Sequence, residues 1–251
     1  MVYFRHVMKH DQPPEPRTFD CDHALPPLEI LYEDNHLLAV VKPVGLPTMG
    51  VVGKPTLLEV ARDYIRHRYH KPGNVYLGVV SRLDAPVSGV VLLARTSKAA
   101  ARLNAQFRTR EVTKVYWALV EHALGPSSGN CVDWLVKDER HRRMHVADAN
   151  AARAQEAQLN YRELARVRRA TLLEIELLTG RKHQIRVQLA SRDAPVLGDR
   201  KYGSQRKFPS GIALHSRRLV FEHPVRHEPV ELVAPLPACW QQLGVRDELK
   251  R

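Results

Sequence analysis

The chain has 251 residues, 44% of them hydrophobic and 26% charged. Those proportions exclude a collagen, a disordered polymer and a membrane bundle, and no run approaches the ~18 consecutive apolar residues of a membrane span. Its 39 Lys+Arg against 27 Asp+Glu leave a formal net charge of +12, which points to a polyanionic partner, nucleic acid before a membrane surface.

Residues 1–27 read as a loosely structured arm, because Pro13, Pro14, Pro16, Pro26 and Pro27 forbid regular hydrogen bonding at that density. One folded body is expected over 28–240 and a polar C-terminal tail over 241–251. LEILYEDNHLLAVVKP (28–43) predicts two strands about an Asp34-Asn35 turn. TLLEVARDYIRHRYH (56–70) has Leu57, Leu58, Ala61, Tyr64 and Ile65 at helical spacing. VYLGVV (75–80) and SGVVLLAR (88–95) read as buried strands, and Thr96 or Ser97 caps a helix carrying Ala100, Leu103 and Phe107. VTKVYWALV (112–120), RMHVAD (143–148), QLNYREL (158–164) and TLLEIELL (171–178) predict further strands. A helix over RKHQIRVQLAS (181–191) follows a Thr179-Gly180 turn, and IALHSRRLVFEHP (212–224) and VELVAP (230–235) end the body as strands. Strands outnumber helices and short turns join many of them. The expected fold is therefore α+β, on a mainly antiparallel mixed sheet flanked by a few helices.

Cys21, Cys131 and Cys239 are far apart and form no CxxC pair, so neither a disulfide framework nor a zinc ribbon is indicated. That usage suits a reducing compartment, and MVYFRHVMKH lacks the apolar stretch of a signal peptide, so the cytoplasm is expected.

Two constellations could carry chemistry. Asp84 lies in Ser81-Arg82-Leu83-Asp84-Ala85-Pro86 between apolar strands, where rigid elements would hold a carboxylate; taken alone, it reads more readily as a turn aspartate bonding its own backbone. In Thr179-Gly180-Arg181-Lys182-His183-Gln184-Ile185-Arg186, cations open a helix. They oppose the macrodipole there, so the arrangement calls for a bound anion or a nearby carboxylate. Lys182 and Arg186 would share one stripe of that helix while Ile185 and Leu189 face the core. His141 and His145 beside Asp138 and Glu139 read as a basic patch rather than a metal site. Arg162, Arg166, Arg168 and Arg169 read as a solvated or RNA-facing turn.

At these residues the chain resembles the RluA-type family of pseudouridine synthases. Matching segments run in order over about 28–235: Glu33-Asp34 with Lys42-Pro43-Val44-Gly45, Arg82-Leu83-Asp84 with Ser88-Gly89, and Lys114-Val115-Tyr116-Trp117-Ala118. Thr179-Gly180-Arg181 with His183-Gln184-Ile185-Arg186, Gly198-Asp199 with Tyr202-Gly203, Leu214-His215, and Phe221 with His223-Pro224 complete the set. Ser81, Val87, Lys182 and Gln188 depart from the family's usual residues. The resemblance implies a pseudouridine-synthase catalytic domain over 28–240 that isomerises uridine within an RNA chain. Asp84 would be the essential carboxylate and Arg186 would pair with it. Tyr116 would stack on the uracil and could take its carbon-five proton, and Ile185 would help wall the pocket. Nothing is oxidised and no group departs, so neither metal nor cofactor is required. The expected substrate is a loop or bulge of ribosomal or transfer RNA, where a base leaves its stack most cheaply. The protein is expected to act as a monomer.

Only 27 residues precede the body, too few for the small RNA-binding domain of many relatives. Arg82, Arg181, Lys182 and the Arg140, Arg142 and Arg143 cluster are accordingly the candidate RNA contacts. Two other functions compete: a non-catalytic RNA-binding protein on the same scaffold, and a metal-dependent nuclease built around His141 and His145.

Overall fold

The computed structural model describes residues 28–50 and 55–247. The arm expected over 1–27 lies outside the described residues. In chain order the elements are β1 (Glu29–Glu33), β2 (Leu37–Lys42), α1 (Leu57–Arg68), β3 (Gly78–Val79), β4 (Ser88–Ala94), α2 (Ser97–Thr109), β5 (Thr113–Val120) and β6 (Ser128–Asp138). Then come β7 (Arg143–Ala147), β8 (Gln155–Val167), β9 (Ala170–Leu177), α3 (Gln184–Ala190), a 3-10 turn (Arg200–Tyr202), β10 (Leu214–Glu222), β11 (Pro229–Val233) and α4 (Ala238–Gln242).

Among the described residues the strands form one sheet in the order β1-β2-β4-β10-β5-β9-β8-β6-β7, with β11 beside β10 and β3 beside β4. Every strand pairing is antiparallel except β4 with β10, which meet over His215–Ser88 and Ser216–Gly89. The expected α+β class and mixed, mainly antiparallel sheet are what the molecule has. The parallel contact is short and close. A Cβ on Gly89, at φ +116°, would stand 2.2 Å from the Ser216 carbonyl oxygen, so only glycine fits there.

Alternation in β2 and β4 divides the interior in two. Leu38, Val40, Val91 and Leu93 face a large core with Leu57, Val60, Ala61 and Ile65 of α1. Leu37, Ala39, Val90, Leu92 and Ala94 face a second core with Ala99, Ala100 and Leu103 of α2. Successive strand side chains point to opposite faces, so apolar residues at every position mark a sheet covered on both sides. Each helix has a sequence-encoded start: Thr56 and Glu59 form a capping box on α1, and the Thr96 side chain accepts from the Ala99 amide on α2.

Several expectations need correction. The strand β6 was not expected; five of its eleven residues are exposed and only Cys131 and Leu135 are buried in it, so its sequence lacks a clean alternation. Pairing with β8 and β7 holds it. The strand expected over 75–80 pairs only at Gly78 and Val79. Arg162 and Arg166 belong to β8 rather than to a turn, and they pair with Glu174 and Glu163. The packed body also runs past residue 240: α4 crosses that boundary, Trp240 and Val245 are 1% exposed, and Arg217 pairs with Asp247. No helix among the described residues is long and apolar enough to cross a membrane.

Candidate active site

The four central strands β4, β10, β5 and β9 carry the site. Asp84 sits in the loop before β4, and backbone and side chains clamp that loop from two directions. From the segment after β2, Thr48 Oγ1 donates to the Leu83 carbonyl at 2.9 Å and accepts from its amide at 3.1 Å. The Gly45 amide donates to the Ala85 carbonyl at 2.8 Å. Lys42, fully buried, donates to the carbonyls of Pro43 and Leu46 at 2.7 Å and Ala85 at 3.2 Å. Burial pulls its ammonium down to about 8, with the Asp84 carboxylate opposing the fall. From the other side the Ile212 amide donates to the Pro86 carbonyl at 3.2 Å. Such a loop holds its carboxylate on rigid elements.

Arg186 reaches Asp84 from α3, its Nη1 donating to Asp84 Oδ2 at 2.7 Å. Its other edge makes a bidentate pair with Asp199, Nε to Oδ2 at 2.6 Å and Nη2 to Oδ1 at 2.9 Å. The Arg186 and Asp199 side chains are 6% and 1% exposed, whereas Asp84 keeps 28%. Burial works against the guanidinium charge, but the two carboxylates raise Arg186 above its ordinary value. Of the cations around the start of α3, Arg186 therefore has its carboxylates, while Arg181 donates to the Glu156 backbone carbonyl. The ring of Tyr202 lies 4.9 Å beneath the guanidinium.

The start of α3 differs from expectation. Gly180 has ordinary backbone, while His183 adopts the left-handed conformation at φ 53°. The helix begins only at Gln184, so Lys182 is exposed in the preceding turn and shares no stripe with Arg186. Ile185 packs into the large core rather than walling the cleft.

The cleft in front of Asp84 has a volume of about 940 Å³. Arg82, Asp84, Tyr116, Arg181 and Lys182 line it, together with Phe107, Arg108, Arg110, Lys114 and His183, which were not expected as site residues. Spacing alone could have flagged Lys114, two residues before Tyr116 and so on the same face of β5. The carboxylate thus looks into a strongly basic groove. Burial pushes the Tyr116 phenol up to about 12; a hydrogen bond with Ser216 offsets part of this and the Asp84 charge adds to it. At neutral pH Tyr116 is therefore a protonated phenol. Arg140, Arg142 and Arg143 are exposed at the β6–β7 turn, outside the cleft lining. His141 is bound there to Asp138 at 2.7 Å, and among the described residues no group of three or more His, Cys, Asp or Glu side chains could hold a metal ion.

Three of the four departures from the family's usual residues have local explanations, and nothing in the structure explains Lys182. Ser81 Oγ accepts from the Leu92 amide at 2.8 Å, and Val87 is buried in the large core. Gln188 Nε2 donates to Asp133 at 2.7 Å and to the Ala157 and Cys131 carbonyls, stitching α3 to β6 and β8.

Comparison with known proteins converges on one family. Residues 36–191 match the model of a family described as RNA pseudouridylate synthase. The chain is 40% identical over 234 residues to a protein of Xylella fastidiosa named ribosomal large subunit pseudouridine synthase D, covering 86% of this chain and 68% of the relative. A protein of the same name from Xanthomonas campestris is 37% identical over 88% of this chain and 70% of its own. Among solved structures, human RNA pseudouridylate synthase domain containing 4 superposes with a TM-score of 0.72 at 28% identity, covering 86% of this chain and 93% of the human one.

Proposed function

The chain belongs to the RluA-type RNA pseudouridylate synthases, isomerases of uridine in RNA, and from that premise we propose that Asp84 is the essential carboxylate and structured ribosomal RNA the substrate. The observation that carries this reading is Asp84 itself, part-exposed at the floor of a basic cleft with Oδ2 bound by a buried arginine. In the reaction the C1′–N1 bond breaks, the uracil turns in place, and a C1′–C5 bond forms; carbon five gives up a proton and N1 gains one. Addition of Asp84 to the anomeric carbon and removal of the neighbouring ribose proton both need a charged carboxylate within reach of the sugar. The Arg186 contact keeps a positive charge beside that carboxylate throughout.

Tyr116 forms the side of the cleft against which a uracil can stack. Its raised phenol supports this role over that of a base. The target uridine must leave its stack to reach Asp84, so a loop or bulge is the favoured context. Arg82, Arg181 and Lys182, with Arg108, Arg110 and Lys114, would take phosphates along the cleft. Arg140, Arg142 and Arg143 would take more distant ones from the hairpin turn. The same reading has the protein act as a monomer in the cytoplasm. The names of the Xylella and Xanthomonas relatives favour large-subunit RNA over transfer RNA. Pseudouridine mapping in cells with and without the chain tests this. Loss of modification at large-subunit positions is expected; loss confined to transfer RNA, or no loss, would contradict it.

A further inference from the structure

His183 lines the cleft with only 9% of its side chain exposed, in a backbone conformation that few non-glycine residues adopt. A chain of hydrogen bonds grips the imidazole from behind. The Met144 amide of β7 donates to Tyr202 Oη at 2.9 Å, and Tyr202 Oη lies 2.7 Å from His183 Nδ1. A phenol has one proton to give. The Met144 donor meets the acceptor side of its oxygen, and Nδ1 is the acceptor that the hydrogen bonds of the described residues offer the phenol proton, so the geometry favours Nδ1 as the acceptor. The imidazole proton then sits on Nε2, which is 3.6 Å from Asp84 Oδ2. The opposite tautomer would aim the Nε2 lone pair at a carboxylate and leave the phenol proton with no acceptor among the described residues. A separation of 3.6 Å is just beyond hydrogen-bond length, and such catalytic contacts often tighten when substrate binds.

We propose that His183 is a positioning residue for the isomerisation: Tyr202 locks it as the Nε2–H tautomer, which offers its hydrogen to Asp84 Oδ2. Together with Arg186 Nη1 it would fix both the place and the rotation of the carboxylate, leaving Oδ1 for the ribose. The proposal rests on the reading of Asp84 as the essential group. The charged groups that face His183 are Asp84, Arg186, Lys201 and Lys182. Burial pulls the imidazole down to about 4, with the three cations helping and Asp84 opposing. It is therefore neutral at working pH, an N–H donor rather than a general acid.

The test uses the full chain and a large-subunit RNA transcript carrying tritium at carbon five of uridine, with single-turnover release at saturating enzyme. Tyr202→Phe keeps the ring that packs edge-on against His183 and lies under Arg186, and removes the proton that sets the tautomer. His183→Asn keeps a residue tolerant of the left-handed turn but is too short to reach Asp84. Each is expected to slow the single-turnover rate roughly 10- to 100-fold with RNA affinity unchanged. The double variant should be no slower than His183→Asn, because Tyr202 acts through His183. Nitrogen-15 NMR of the unreacted enzyme should show His183 as Nε2–H in the wild type and as a mixture in Tyr202→Phe. A wild-type rate in either single variant, multiplied losses in the double, or an Nδ1–H histidine in the wild type would overturn the proposal. The tautomer is read without turnover, which separates two failures. An Nδ1–H histidine beside an inactive Asp84→Asn enzyme removes only the role of His183. An active Asp84→Asn enzyme removes the essential carboxylate, and the proposal with it.

Discussion

Asp199 does not line the cleft, yet the geometry makes activity depend on it. Asp199→Asn preserves the side chain's shape and removes its charge. Of the two contacts with Arg186, at 2.6 and 2.9 Å, one can persist to the amide oxygen. The other turns into an N–H facing an N–H, and the Asp199 position is 1% exposed, so water cannot relieve it. A charge-assisted hydrogen bond contributes about 1.5–3 kcal/mol, and breaking one partner of a buried ion pair costs about 3–5 kcal/mol. A destabilisation near 3 kcal/mol is therefore expected, which for a chain of this size lowers Tm by roughly 6–12 °C. The arm from Nη1 to Asp84 survives, but nothing then fixes the guanidinium that presents it. Misplacement of that kind costs up to about 100-fold in rate. The assay is single-turnover tritium release at a temperature where circular dichroism shows the variant folded, with RNA affinity measured in parallel. The expected result is a slowed chemical step at unchanged affinity. A variant with wild-type rate and wild-type Tm would refute the claim that Asp199 holds Arg186.

Three further outcomes follow from the same geometry. Gly89→Ala should destabilise by more than about 3 kcal/mol, since its Cβ would meet the Ser216 carbonyl at 2.2 Å in a left-handed backbone; urea unfolding measures it, and a neutral variant would contradict the close β4–β10 approach. Burial pulls the fully buried His215 down to about 4, so its stabilising contribution is complete above about pH 6.5 and is lost as pH falls through 4, because the unfolded chain takes the proton first. Urea melts from pH 7 to 4 should therefore show a steeper loss in wild type than in His215→Gln, and equal slopes would refute it. Charge reversal at Arg181 and Lys182, which line the cleft, should weaken RNA binding and flatten the logarithmic salt dependence by about 1.4, at ~0.7 per phosphate contact; an unchanged slope would place both side chains away from phosphate.

Legibility in the sequence followed how local each feature is. The double-faced strands β2 and β4 were plain from unbroken apolar runs, α1 from spacing and α2 from spacing and its cap, because those signals lie within one element. The Asp84 turn stood out for the same reason. The need for a bound anion or a carboxylate near the cations around the start of α3 was also legible, since cations at a helix start oppose its dipole. The resemblance named Asp84 as the partner of Arg186, but the second carboxylate was hidden: Asp199 lies 13 residues on, and only the path of the intervening loop brings it back. Lys42 gives no sign of burial in sequence, because its acceptors are backbone carbonyls, the Ala85 one 43 residues away. The late start of α3 was hidden because His183 takes a conformation usually signalled by glycine. Among the missed elements, β6 buries too few residues to alternate clearly, and α4 is five residues held by one tryptophan, Trp240. Tyr116 reads as an ordinary strand residue, and only the resemblance marked it out.

The central claim is that one carboxylate, Asp84, drives isomerisation while the surrounding cations hold the RNA. Asp84→Asn keeps the loop, which is clamped through backbone and the Thr48 and Lys42 side chains, and removes only the charge. Tritium release from RNA labelled at carbon five, with binding measured on the same preparation and deamidation excluded by mass spectrometry, tests the claim directly. The account predicts no release above background together with RNA affinity close to wild type. Release at a measurable rate from an enzyme whose residue 84 is still asparagine would contradict it.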